Sequence, residues 1–193
     1  MRNQLNRYGG YVRDEELLIA VANTAHGAHD EFTDATSVRS WWHGLGAPVT
    51  SESVESIAVL RALRALIRGL ALRNNGIEPD LGPAAGLDAL ALRLDLGGPP
   101  SLRAEHPGGA PSLRAEHPGD LALDVAAATV AALLRATGRP GWSRVKACRG
   151  DDCRWVFVDG SRNRSRRWCA MAECGNRAKV AAFRSRRRPP PTG

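Results

Sequence analysis

The sequence predicts a mostly α protein: an N-terminal helical domain followed by a small, cysteine-clamped β-hairpin plus helix. Three observations carry this. Ala and Leu dominate the apolar residues while aromatics make up only 5 % of the 193 residues, a balance that favours helices over sheets. All four cysteines lie between positions 148 and 174, behind a nearly neutral body. From Val145 onward 13 Lys/Arg face 4 Asp/Glu, against 14 and 16 before it, so the basic character of the chain sits with the cysteines.

Residues 1–13 are polar. A first helix is expected from Asp14 to about Thr24, with Asp14, Glu15 and Glu16 in its first turn where the helix dipole favours them. His26 and His29 follow beside Asp30 and Glu31; Gly27 and the lack of a second cluster favour a solvated turn over a metal site. Asp34 reads as the N-cap of a short helix carrying Trp41 and Trp42, expected as core anchors. Ser51 or Ser53 opens the longest helix, running to Asn74, with Val54, Ile57, Leu60, Leu63, Ile67 and Leu70 on one buried face. Arg61, Arg64 and Arg68 form a separate stripe, more in keeping with a solvated face than an anion grip. Pro83 is expected to start a helix from Ala84 to about Asp95.

Between positions 99 and 120 the nonapeptide Pro100–Gly108 recurs as Pro111–Gly119, an 11-residue period present twice. Two copies are too few for a solenoid, and their Pro and Gly content argues for an irregular insertion or a hairpin of paired strands. A strongly Ala/Leu helix follows, Asp120 to Thr137, and Gly138 to Gly141 reads as a hinge across which few contacts are needed. The domain boundary is therefore placed there, giving 1–138 and 139–193.

The cysteines are spaced Cys148-x4-Cys153-x15-Cys169-x4-Cys174, two short knuckles separated by a linker long enough for a hairpin. That arrangement suits a tetrahedral Zn²⁺ held by four thiolates, a closed and therefore structural site. A module with so little apolar surface would draw most of its folding free energy from the ion, on the order of 10–16 kcal/mol. Within the linker, Trp155–Val158 alternates as a strand and Asp159-Gly160 signals a tight turn. The return limb from Ser161 to Trp168 would then show Arg162, Arg164 and Arg166 on one face; an irregular limb would keep the cluster but not its alignment. Gly175 would relieve strain beside the metal and Asn176 would cap a helix from Arg177 to about Arg188. Val180 and Phe183 on that helix are expected to pack back on Trp155, Phe157 and Trp168, before Pro189 ends it.

The string Cys148…Cys153…Trp155…Phe157-x-Asp159-x-Ser161…Arg166-Arg167-Trp168-Cys169-x-Met171…Cys174-Gly175-Asn176-Arg177-x-Lys179 resembles the CGNR zinc finger. Proteins with this finger commonly carry an N-terminal all-helical domain called ABATE, and residues 1–138 resemble it in size, helix content and Ala22-Asn23-Thr24. The resemblance implies a stress-responsive transcriptional regulator of bacteria. It would hold zinc through the four cysteines and contact double-stranded DNA through Arg162, Arg164, Arg166, Arg167, Asn176, Arg177, Lys179, Arg184 and Arg188. Dimerisation or sensing of a small-molecule effector would fall to the helical domain. The alternatives are RNA binding, with Trp155 or Trp168 available for stacking, and a protein-interaction module for an acidic partner.

Other classes are not expected. The longest nearly uncharged run, Val125 to Leu134, is about half of the roughly 20 residues a membrane span requires. The short apolar run Leu17–Ala22 follows acidic rather than basic residues, unlike a secretory signal, so a cytosolic, reducing location is expected. No Ser-His-Asp order, P-loop or paired acidic helix motif points to an enzyme.

Overall fold

The computed structural model describes residues 13–79, 87, 90–95, 112–116 and 118–187. Helices α1 (Asp14–Ala22), α3 (Ile57–Asn74) and α4 (Leu121–Thr137) pack on one another, as their Leu- and Ala-rich faces require. Leu18, Val21, Leu60, Leu63, Ile67, Leu121 and Val125 are fully buried among them. The short α2 (Ala35–Gly44) closes one side, capped by the Asp34 carboxylate, which accepts from Ser37 N. Trp41 sets its ring edge-on to Phe32 and Trp42 donates to Pro48 O, so both are half-buried anchors.

The longest helix begins later than expected. Residues 51–56 remain outside α3 because Asp120 captures their backbone: its carboxylate accepts from Glu55 N and Ser56 N while also capping α4 through Ala122 N. One side chain thus ties the starts of two helices. The helix expected from Ala84 to Asp95 is corrected at its end, since Leu92–Asp95 is a strand, β3, paired antiparallel with β4 (Ser112–Ala115), while positions 84–86, 88 and 89 lie outside the described residues. The sequence Leu92-Arg93-Leu94-Asp95 alternates at period two as well as fitting a helix face, and Ala115 of the partner strand is buried in the core beside α4. The second copy of the repeat therefore supplies a strand; the first copy, with His106, and also His117 lie outside the described residues.

The arginine stripe of α3 is tied to neighbouring groups, with Arg64 and Arg68 partly buried and Arg61 still exposed. Arg61 donates to the carbonyls of Phe32 and Thr33, Arg68 to those of Ala22 and Ala25, and Arg64 forms a bidentate pair with Asp30 at 2.5 and 2.9 Å. Together they pin a small hairpin, β1 (Ala25–His26) with β2 (His29–Asp30), onto the helix. Burial would raise the Asp30 carboxyl, but Arg64 and the Phe32 amide outweigh it and hold it below the usual carboxylate range.

Many contacts cross the expected hinge at 138–141. Strands β5 (Val145–Ala147) and β6 (Val156–Val158) form an antiparallel pair that lies on α3, and Val145, Ala147 and Val156 belong to the same hydrophobic core as the helices. Three asparagines stitch the two parts. Asn23 donates to Val156 O and accepts from Val156 N, acting as one residue of a third strand. Asn74 donates to Trp142 O and Val145 O, and Asn75 to Ala147 O and Arg167 O. The hinge expectation failed because β5 and β6 have too little apolar surface to pack alone and use the helical face next to them.

Asn23→Ala removes two hydrogen bonds and leaves a part-buried amide and carbonyl of Val156 unmet. Chemical denaturation is expected to show a loss of about 1–3 kcal/mol. Asn163→Ala, at an exposed site, is expected to change stability by less than about 0.5 kcal/mol.

Candidate metal centre and its cationic surface

The β5–β6 pair presents the first knuckle at its tip. Cys148 N donates to Trp155 O at 2.8 Å, one step beyond the ladder, and Cys153 N to Gly150 O at 3.1 Å, which closes the turn. The second knuckle is a π-turn, Met171–Gly175, that runs directly into helix α5 (Asn176–Arg187). Glycine at 175 eases crowding rather than backbone strain: a Cβ there would displace the flexible Met171 side chain and come within 3.2 Å of the Trp168 ring.

These two turns bring the sulfurs of Cys148, Cys153, Cys169 and Cys174 within 4.8 Å of one another. Cys153 and Cys169 Sγ are 3.6 Å apart, Cys169 and Cys174 Sγ 3.7 Å, and none is in a disulfide. A tetrahedron of Zn–S bonds near 2.3 Å has edges of about 3.8 Å, so the sulfurs stand where a four-thiolate site places them. His26 and His29 are not part of the cluster; His26 sets its ring edge-on to Trp155 and His29 pairs with Glu31. Burial, reinforced at Cys169 by the neighbouring sulfurs, pushes the Cys153 and Cys169 thiols up. At Cys174 burial is outweighed by the Arg177 guanidinium, which donates to Sγ at 3.1 Å and holds that thiol below its ordinary value. Bringing four such groups together as thiolates requires a cation at their centre.

Residues 144–187 match the CGNR zinc finger family. No curated protein matches the chain. The four cysteines of the cluster all fall inside the matched finger.

The return limb of the finger differs from expectation. The partner of Val156–Val158 is Val145–Ala147, not the segment after Gly160, and residues 161–168 form an irregular loop. Asp159 is the reason. Fully buried, its carboxylate accepts from Lys146 Nζ at 2.8 Å, from Ser161 N and Oγ, and from Arg166 N. Lys146 in turn donates to the carbonyls of Arg164 and Arg166. Burial would raise the Asp159 carboxyl, but these donors hold it well below the usual carboxylate range. An Asp whose side chain binds the backbone two residues on makes a turn of its own, which bends the limb out of strand geometry. Arg164 takes a left-handed conformation, φ 50°, in that turn.

The arginines consequently lose their common face. Arg166 lies over the Phe157 ring, 4.6 Å from its centroid, and donates to the carbonyls of Trp168 and Cys169. Arg164 reaches Ser143 Oγ at 3.2 Å. Arg162 and Arg167 are exposed, and their guanidiniums have no hydrogen-bond or ion-pair partner among the described residues. Along α5, Arg177 is held by Cys174 and Asn176 donates to Ala172 O at 3.0 Å, whereas Lys179 and Arg184 project into solvent. Arg188 lies outside the described residues. Val180 and Phe183 are half-exposed, at 48 % and 49 %. Of the rings expected to receive them, Trp155 stands edge-on to His26 and Phe157 lies under Arg166.

Sequence reasoning missed Lys146, Arg149 and Asn75, which fasten the cluster from outside. Arg149 donates to Asn75 O while its amide donates to Arg167 O. The one available signal was Asp159-x-Ser161, the pattern of a side-chain-capped turn.

Lys146→Met leaves the Asp159 carboxylate buried without its charge partner and is expected to cost about 3–5 kcal/mol in denaturant unfolding. The contribution of Asp159 is fully present above the unfolded-state carboxyl value, about pH 4, and is lost as the pH falls toward its depressed folded-state value. The stability curves of wild type and Asp159→Asn are therefore expected to separate near neutrality and to converge in acid.

Proposed function

We propose that the chain is a DNA-binding transcriptional regulator that uses a structural zinc ion in its four-cysteine site to hold a cationic surface on duplex DNA. The observation that carries this is a set of exposed cations beside the four-cysteine cluster with no hydrogen-bond or ion-pair partner among the described residues: Arg162 and Arg167 on the limb, Lys179 and Arg184 on α5. Most arginines of the helical part are consumed in internal bonds, as Arg61, Arg64 and Arg68 are. Those of the finger that remain free suit phosphate oxygens, which guanidinium and ammonium groups grip with charge-assisted hydrogen bonds.

Four thiolates leave no open coordination position, so the ion shapes the finger and performs no hydrolysis. The chain is read as a non-enzymatic protein working in a reducing, cytosolic setting, where thiolates stay available to metal. Among the described residues no helix is long and apolar enough to cross a membrane. In this reading the helical part corresponds to an ABATE-like domain that dimerises or senses an effector. A single finger buries only about 600–1,000 Å² on DNA, and a dimer would double that.

Purified protein is expected to contain one zinc per chain and to lose duplex binding on chelation. With five to eight phosphates neutralised, log K should fall with log[salt] at a slope of roughly −4.5 to −7. Arg162→Gln and Arg167→Gln are each expected to weaken binding across all sequences and to reduce the slope by about 1. A near-flat salt response in fluorescence anisotropy, or tighter binding to RNA than to duplex DNA in competition, would overturn the reading.

A further inference from the structure

The four sulfurs are not equally sheltered. Cys148 is fully buried, Cys174 is 3 % exposed and Cys153 7 %, while Cys169 is only partly buried. A cleft of about 800 Å³ opens beside the cluster. Cys153, Cys169 and Cys174 lie along it, His26 of the β1–β2 hairpin forms one wall, and Arg177 and Arg184 of α5 stand on the other. Cys148 takes no part in the lining. A closed structural metal site has no need of an open cleft that reaches three of its ligands.

We propose that Cys169 is an oxidative modification site, at which a peroxide entering this cleft converts the zinc-thiolate cluster into a Cys153–Cys169 disulfide. The inference rests on the zinc reading above. In the first step Cys169 Sγ attacks one peroxide oxygen: an S–O bond forms, the O–O bond breaks, and hydroxide leaves. Cys169 is then a sulfenic acid and a poor ligand. In the second step the Cys153 thiolate, whose sulfur lies 3.6 Å away, attacks Cys169 Sγ; the S–S bond forms, the S–O bond breaks and a second hydroxide leaves. Two thiolates have lost two electrons, and the peroxide has been reduced to two hydroxides, which take protons from solvent.

Cys174 Sγ is almost as near, at 3.7 Å, but its electron pair is engaged by the Arg177 guanidinium, and a thiolate so held is the weaker nucleophile. Cys148 lies on the side away from the cleft. The disulfide therefore joins one cysteine of each knuckle, and the remaining pair, Cys148 and Cys174, cannot complete a tetrahedral set. Metal release follows, and with it the fixed geometry of the turn that launches α5.

The test uses the full-length, zinc-loaded protein, its metal content measured first. On adding stoichiometric hydrogen peroxide, a chromogenic chelator should report zinc release in step with one new disulfide. Peptide mass spectrometry after alkylation should find that bond between the peptides of Cys153 and Cys169, and reductant plus zinc should restore the starting state. Ala181→Trp, which places an indole on the cleft lining at an exposed position of α5, should slow release several-fold with zinc content unchanged. A dominant Cys148–Cys153 or Cys169–Cys174 disulfide, or release from the Ala181→Trp variant at the wild-type rate, overturns the inference while leaving the zinc reading intact. Protein that holds no zinc at the outset overturns the zinc reading and this inference with it.

Discussion

Four sulfur atoms within 4.8 Å of one another form the constraint on which the rest of the finger depends. As thiolates they repel one another unless a cation stands between them, and their spacing suits such a site. Everything near them serves to hold two turns at that separation. The β5–β6 pair fixes the first turn, the π-turn fixes the second, and the carbonyl of Cys169 is gripped by Arg166 from the side. Asp159 and Lys146 then prevent the intervening limb from relaxing, because each satisfies backbone groups that the irregular path would otherwise leave unmet.

The helical part is no passive neighbour. A two-stranded pair of three residues each would not be stable alone. Here it borrows a hydrophobic face from α3 and a set of amide groups from Asn23, Asn74 and Asn75. The arginines of α3 extend this outward by fastening the β1–β2 hairpin, whose His26 then meets Trp155 beside the cysteines. A chain of hydrogen bonds and one edge-on ring contact thus runs from the middle of the longest helix to the edge of the cysteine cluster.

What could be read in the sequence was whatever depended on local pattern. Asp34 announced a helix start, an acidic first turn placed α1, apolar spacing α3 and Ala/Leu content α4, and cysteine spacing placed the two knuckles. Several misreadings involve partners distant in the chain. Asp120 reached back 64 residues to Ser56 and shortened α3, and β3 found its mate at β4 across the repeat. Asp159-Gly160 looked like a hairpin turn, but the Asp159 carboxylate captures Ser161 two residues on and bends the limb away from Val156–Val158, which pairs with Val145–Ala147. Arginine stripes were the hardest to judge, since a guanidinium that binds a carbonyl and one that waits for a ligand have the same spelling.

The pairing of β3 with β4 carries a consequence for the tandem nonapeptide. Ser112–Ala115 has the same letters as residues 101–104 one period earlier, and the connection between the two paired strands spans positions 96–111. Excising a single 11-residue unit would preserve the spelling of the docking strand and shorten that connection to the five positions 96–100, a length ordinary hairpins use. A chain one unit shorter would thus keep the residue that β4 buries beneath α4, Ala115.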